Sequence, residues 1–119
     1  MFEQTGFVNE NLQAIVEVEL VSGASLNCLL DTGFHGTLFL PREFVAANSL
    51  LIVAKETFVA AESMKFQADT AIAEIKWLGD EFMLPVFVSE TDEALIGVEM
   101  LIDAVLEIDY KNSTVKITK

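Results

Sequence analysis

Apolar and polar residues alternate along much of the chain. From Gln13 to Leu20, Ala14, Val16, Val18 and Leu20 fall on one face. Gln13, Glu17 and Glu19 fall on the other, with Ile15 the single apolar exception. A period of two marks a half-buried β-strand. Ser22-Gly23-Ala24 predicts a turn, and Ser25–Leu30 a second strand that ends on Leu29-Leu30. Asp31–Gly36, with two glycines and no proline, reads as a loop, and Thr37–Leu40 as a short strand. Pro41 fits the first turn of a helix through Arg42–Ala47 that stops at Asn48. Leu50–Val53 and Thr57–Val59 predict strands leading to a hairpin tip at residues 60–64. Met64–Trp77 predicts a long extended stretch whose middle, Ala68–Ala73, also has helix propensity. After a turn at Gly79-Asp80, Phe82–Val88 predicts a strand in which Pro85 calls for an edge or a bulge. Ala94–Gly97 is apolar and closes on glycine, and Val98–Asp103 predicts a short helix. Leu106–Tyr110 and Val115–Thr118 predict a hairpin around Lys111-Asn112-Ser113. The sum is an all-β fold with one or two short helices.

The chain has 119 residues, which is room for one domain over 1–119 and no second. Seven Lys and Arg against 19 Asp and Glu leave a net charge of −12. Nucleic acid is therefore not an expected partner, because neutralising phosphates requires a basic face. Anionic lipid is disfavoured for the same reason. Hydrophobic residues make up 52% of the chain, yet no run approaches the ~18 apolar residues of a membrane helix. So much apolar content in a short chain suggests a second hydrophobic surface of the kind an obligate dimer covers. The Met-Phe-Glu-Gln-Thr start puts no cationic region before an apolar one, so no secretory signal is expected and the cytoplasm is the expected compartment.

With one cysteine, Cys28, and one histidine, His35, neither an intrachain disulfide nor a conventional zinc site is expected, and no cofactor is implied. Cys28 reads as a buried small hydrophobe and His35 as a loop or rim residue. Phosphate-cradling glycine motifs are absent. The acidic loop Ser89–Glu93 lacks the ligand spacing and mid-loop glycine of an EF-hand and reads as a solvated face. Asp31 stands apart. It follows two leucines and precedes Thr32-Gly33, so a carboxylate sits at the end of an apolar strand, in a loop whose glycines let backbone N–H groups approach. Two readings share these residues: a structural Asx turn, or a carboxylate held for chemistry.

The segment Leu29-Leu30-Asp31-Thr32-Gly33-Phe34-His35-Gly36-Thr37-Leu38-Phe39-Leu40-Pro41 resembles the active-site segment of retropepsin-like (retroviral-type) aspartic peptidases, especially the small stand-alone prokaryotic members. About sixty residues later, Ala94-Leu95-Ile96-Gly97-Val98-Glu99-Met100-Leu101 looks like that family's second signature, in the same order and at a similar separation. The resemblance implies an acid-protease-like folded barrel that forms one half of a two-fold dimer. Aspartic peptidases work with two carboxylates sharing one proton. This chain has one Asp-Thr-Gly, and Asp69-Thr70-Ala71 lacks the glycine, so a second copy is expected to supply the partner of Asp31. Peptide or protein would be the substrate. Thr32 would bond across the dimer axis, Gly33 would donate its N–H toward a carboxylate, and Leu95, Ile96 and Gly97 would pack behind the loop. A hairpin flap over about Phe58 to Phe66, with Ala60, Ala61, Glu62, Ser63 and Met64 at its tip, would close over substrate.

The chain departs from the family pattern in places. Glycine is usual at the flap tip, and here Ala61-Glu62 stand instead, so a stiffer or differently turned tip is expected. Phe34 replaces an alanine typical of viral enzymes and can line a substrate pocket or join the core. The charge of −12 repels a second copy, so salt or acid is expected to strengthen association. Beside a homodimeric endopeptidase stand two other readings: a peptide-binding or scaffolding dimer of the same fold without turnover, and an unrelated monomeric β domain.

Overall fold

A computed structural model of the chain describes residues 1–59 and 61–119. Among the described residues, ten strands form one sheet. They are β1 (Glu3–Val8), β2 (Ala14–Leu20), β3 (Ser25–Leu30), β4 (Leu38–Pro41), β5 (Leu51–Val59), β6 (Lys65–Trp77), β7 (Asp80–Ser89), β8 (Leu95–Ile96), β9 (Val105–Asp109) and β10 (Thr114–Thr118). One helix, α1 (Arg42–Ala47), follows β4. Single 3₁₀ turns cover Ala61–Ser63 and Val98–Leu101, the second where a short helix was expected.

The strand order is β5-β6-β7-β4-β8-β3-β2-β1-β10-β9, with a further pairing of β6 to β2. That last pairing, Glu19 to Lys76 and Leu20 to Ile75, closes β2-β3-β8-β4-β7-β6 into a six-stranded barrel. Closure is possible because two strands divide an edge between two neighbours. On β2, residues Ala14–Val16 pair with β1 and Glu19–Leu20 with β6. On β6, residues Lys65–Ile72 pair with β5 and Ile75–Lys76 with β2. The β5–β6 hairpin thereby leaves the barrel as a projecting arm, and β10 and β9 extend the sheet beyond β1 on the other side.

The barrel interior holds the residues the alternation assigns to it. Val16, Val18 and Leu20 from β2 pack with Leu38, Leu40, Ala71, Ala73, Ile75, Val86, Val88 and Ile96. The Ala68–Ala73 segment is strand, not helix. Its alternate residues Ala71, Ala73, Ile75 and Trp77 point inward, and ladders to β5 and β7 satisfy its backbone. The strands expected at Leu50–Val53 and Thr57–Val59 are one strand, β5, with a register shift between Ile52 and Ala54. Pro85 lies in β7, whose ladder to β4 begins only at Phe87, so Pro85 has a strand neighbour on one side only. Strand β1 has no clear alternation in sequence and exists through its partners β2 and β10. Among the described residues no helix is long and apolar enough to cross a membrane.

Candidate active site

Parallel strands β3 and β8 pair Leu29 with Leu95 and Leu30 with Ile96. The chain leaves β3 at Asp31, whose N–H donates to the Ile96 carbonyl at 3.0 Å, continuing the ladder by one step. The loop then folds back on itself. The Gly33 N–H donates to Asp31 Oδ1 at 2.9 Å, and the Phe34 N–H to the Asp31 carbonyl at 3.1 Å. This is an Asx turn, so the structural reading of the tripeptide is correct as local geometry. It also fixes one carboxylate oxygen and leaves the group half-buried at the lip of a cavity.

The second motif holds this loop from behind. The Gly97 N–H donates to the Thr37 carbonyl at 2.7 Å, the Val98 N–H to Phe34 at 3.0 Å, and the Glu99 N–H to Gly36 at 3.2 Å. Gly97 is required by close approach, because a Cβ there would overlap the Gly36 carbonyl oxygen and stand 2.8 Å from the Phe34 ring. The buried Trp77 indole donates to the Met100 carbonyl at 3.0 Å and so ties β6 to the same 3₁₀ turn. Leu95 and Ile96 are buried, Thr32 is exposed, and Gly33 is half-buried.

Phe34 is 1% exposed and does not line the cavity. Its ring lies 5.8 Å from Phe39, 5.8 Å from Phe58 and 6.0 Å from Phe87. It is the base of an aromatic stack that extends into the projecting hairpin, where Phe58 also lies 5.6 Å from Phe66 in a near-parallel arrangement. A backbone bond from the His35 N–H to the Val59 carbonyl, 3.2 Å, fastens the hairpin to the Asp31 loop. His35 itself is exposed and Cys28 is buried. Burial pushes the Cys28 thiol up to about 12, which removes it as a nucleophile.

Beside Asp31 opens a cavity of about 620 Å³. Lys55, Asp69, Glu90 and Glu93 stand among its polar lining.

 The apolar part of the lining is thus Phe39, Phe58, Phe66, Val88 and Leu95. The hairpin contributes through its strands, because Phe58 pairs with Phe66 and Lys55 with Asp69 across the ladder. Glu62 and Ser63 form the exposed tip and do not line the cavity. Ala60, expected at the tip, lies outside the described residues, and Ala61 begins the 3₁₀ turn. The tip turns without glycine by placing Glu62 at φ 64° and Ser63 at φ 60°, a left-handed conformation that costs a side-chain-bearing residue about 1 kcal/mol or more.

An ion network backs one wall. Arg42, the first residue of α1, donates through Nε and Nη2 to both oxygens of Glu90 at 2.6–3.1 Å, and through Nη2 to Asp69 Oδ2 at 2.7 Å. These bonds raise the Arg42 guanidinium further above its ordinary value and hold the Glu90 carboxyl below its own. Glu90 is exposed, as the loop composition suggested, but it is paired with Arg42. The sequence reading missed this network and the aromatic wall. A hairpin centred on Glu62 would have found part of both, since Phe58 and Phe66, and Lys55 and Asp69, are equidistant from it.

No protein-family model matches the sequence, and no curated protein sequence does. Among solved structures, a retropepsin-like aspartic protease from Rickettsia conorii matches with a TM-score of 0.68, over 97% of this chain and 89% of that one, at 17% identity. At that identity the likeness establishes the fold: the chain has a retropepsin-like all-β fold.

Proposed function

We propose that this chain is one half of a homodimeric aspartic endopeptidase in which Asp31 of two copies forms the catalytic pair. The observation that carries the reading is Asp31 itself, held by the Gly33 N–H at the lip of a cavity of about 620 Å³ within a retropepsin-like fold. A lone carboxylate is a poor catalyst for amide hydrolysis, and two that share a proton supply both a base and an acid. A two-fold axis beside Thr32 brings Asp31 to its own copy. Exposed apolar residues support such a contact. Val98, Ile102 and Val105 are 38%, 63% and 60% exposed, and they lie in or shortly after the segment that holds the Asp31 loop. Strand β9 adds a free edge, since among the described residues it pairs with β10 alone.

In this mechanism a water lies between the two carboxyl groups. The ionised Asp31 takes a proton from the water as its oxygen attacks the peptide carbonyl carbon. The protonated Asp31 gives its proton to the carbonyl oxygen. As the resulting diol collapses, one of its hydroxyls gives its proton to the now ionised second Asp31, the carbon–nitrogen bond breaks, and the leaving nitrogen takes the proton held by the first, which restores one shared proton to the pair. The apolar wall of the cavity accepts a side chain of the peptide and excludes water. Thr32 of the two copies bonds across the axis and keeps the carboxylates in register.

A peptide-binding dimer without turnover is the second reading. The left-handed Glu62 and Ser63 at the hairpin tip favour it, because a strained tip resists the opening that turnover needs. Incubation of the chain and of Asp31→Asn with an unstructured peptide mixture at pH ~4–7, the range of a shared-proton pair, separates the readings. The peptidase predicts cleavage by the parent chain, loss of at least about 10³-fold in Asp31→Asn, and a dimer by sedimentation for both. Peptide binding with no cleavage by either decides for the second reading. Equal cleavage by both chains, or a monomer throughout, refutes the mechanism.

A further inference from the structure

Arg42 stands behind the cavity wall, outside the lining, and engages two of the carboxylates that face inward. We propose that Arg42 determines the charge preference of the cavity beside Asp31: by occupying Asp69 and Glu90 it turns away lysine and arginine side chains and leaves the cavity to a large neutral side chain. The inference rests on the reading that this cavity receives a peptide.

The charges around the cavity decide its preference. Apart from Asp31, the charged residues of its lining are Asp69, Glu90, Glu93 and Lys55. Without Arg42 that is three carboxylates against one ammonium, above an aromatic floor that would also favour a cation. Such a pocket selects a side chain with an apolar stem and a positive tip. Arg42 changes both the charge and the available acceptors. Its planar fork holds both oxygens of Glu90 and one of Asp69 at 2.6–3.1 Å. An incoming ammonium therefore meets both Glu90 oxygens and one Asp69 oxygen already engaged, with a fixed cation behind them, and Arg42 leaves it Glu93 and the other Asp69 oxygen. Lys55, directly across the ladder from Asp69, adds a second positive charge on the hairpin side. With Lys55 and Arg42 set against Asp69, Glu90 and Glu93, the charge excess falls from two carboxylates to one, and the aromatic walls Phe39, Phe58 and Phe66 dominate the lining. Excluding a wrong ligand by a built-in repulsive charge is a general route to specificity. The Arg42 guanidinium holds the Glu90 carboxyl below its ordinary range, which favours the Arg42–Glu90 pair in mildly acid conditions.

The test measures binding, so that it does not depend on turnover. Three fluorescent peptides that differ at one residue, norleucine, lysine or glutamate, are titrated into full-length Asp31→Asn by anisotropy, with the varied residue moved along the peptide. At the position that enters the cavity, norleucine is expected to bind about tenfold tighter than lysine. Adding Arg42→Gln should bring the lysine peptide to parity or better and leave the norleucine peptide within about threefold. Arg42→Lys should restore most of the exclusion, and adding Glu90→Gln to Arg42→Gln should restore it too, since the charge balance returns. Should Arg42→Gln not fold, Glu90→Gln in the intact Arg42 background should move the ratio a further several-fold against lysine. An unchanged norleucine-to-lysine ratio in these folded variants, with peptide still bound, overturns the role of Arg42 alone. Absence of binding by every peptide overturns the peptide reading and this inference with it.

Discussion

Replacing Gly97 by alanine tests how the Asp31 loop is held. Gly97 has φ −87° and ψ 170°, a conformation open to any residue, so backbone strain plays no part. The whole effect is steric. A Cβ would overlap the Gly36 carbonyl oxygen, stand 2.7 Å from its carbon and 2.8 Å from the Phe34 ring. Neither neighbour can yield cheaply. The Gly36 carbonyl accepts the Glu99 N–H, the adjacent Thr37 carbonyl accepts the Gly97 N–H, and Phe34 is packed among Phe39, Phe58 and Phe87. Overpacking costs about 1–3 kcal/mol, and contact with fixed backbone puts this case at about 3. Alanine recovers somewhat less than about 1 kcal/mol by restricting the unfolded chain. A net loss of about 2 kcal/mol is expected, or roughly 8 °C in melting temperature for a chain between the small and mid-sized classes. Gly23→Ala is the control. Its Cβ meets nothing within 4 Å, and its φ of 104° leaves strain as the cost, with no effect on the site. Urea unfolding of both variants, with cleavage assayed on the folded protein, gives the comparison. The reasoning fails if Gly97→Ala unfolds within about 0.5 kcal/mol of the parent and cleaves peptide as well as Gly23→Ala does.

The hairpin tip offers a change in the opposite direction: Glu62→Gly relieves a left-handed residue and should raise stability by up to about 1 kcal/mol after the added freedom of the unfolded chain is subtracted, measured as an increase in melting temperature; a decrease would contradict the strain assigned to the tip. Cys28 should make stability depend on pH in the alkaline range. Its thiol ionises near 9 in the unfolded chain and near 12 in the folded one, so the contribution is whole below pH 9 and declines as pH rises toward 12. Urea titrations at several pH values should show a shallower alkaline decline in Cys28→Ala than in the parent, and parallel declines would exclude the buried thiol as the cause.

Much of this molecule can be read locally. The alternation of Ala14, Val16, Val18 and Leu20 announces β2, Pro41 announces the start of α1, and the glycines at 33, 36 and 97 announce loops, with backbone passing close to backbone at Gly97. These signals are legible because side-chain period, turn chemistry and steric allowance act over a few residues. The Asp31 loop and its backing segment belong to the same class, since each carries its own turn residues. What lies beyond is long-range. Nothing near Glu3–Val8 marks it as a strand, because its partner β10 lies at the other end of the chain and Gly6 admits the Ile15 carbonyl. The closure of β6 on β2, and the burial of Phe34 beneath Phe58, depend on which edges and faces meet. Arg42, Asp69 and Glu90 have no spacing that links them, and only the barrel brings helix, hairpin and loop to one wall. Period and propensity choose the elements; pairing and packing, which follow the free energy of the whole chain, decide which side chains share the space beside Asp31.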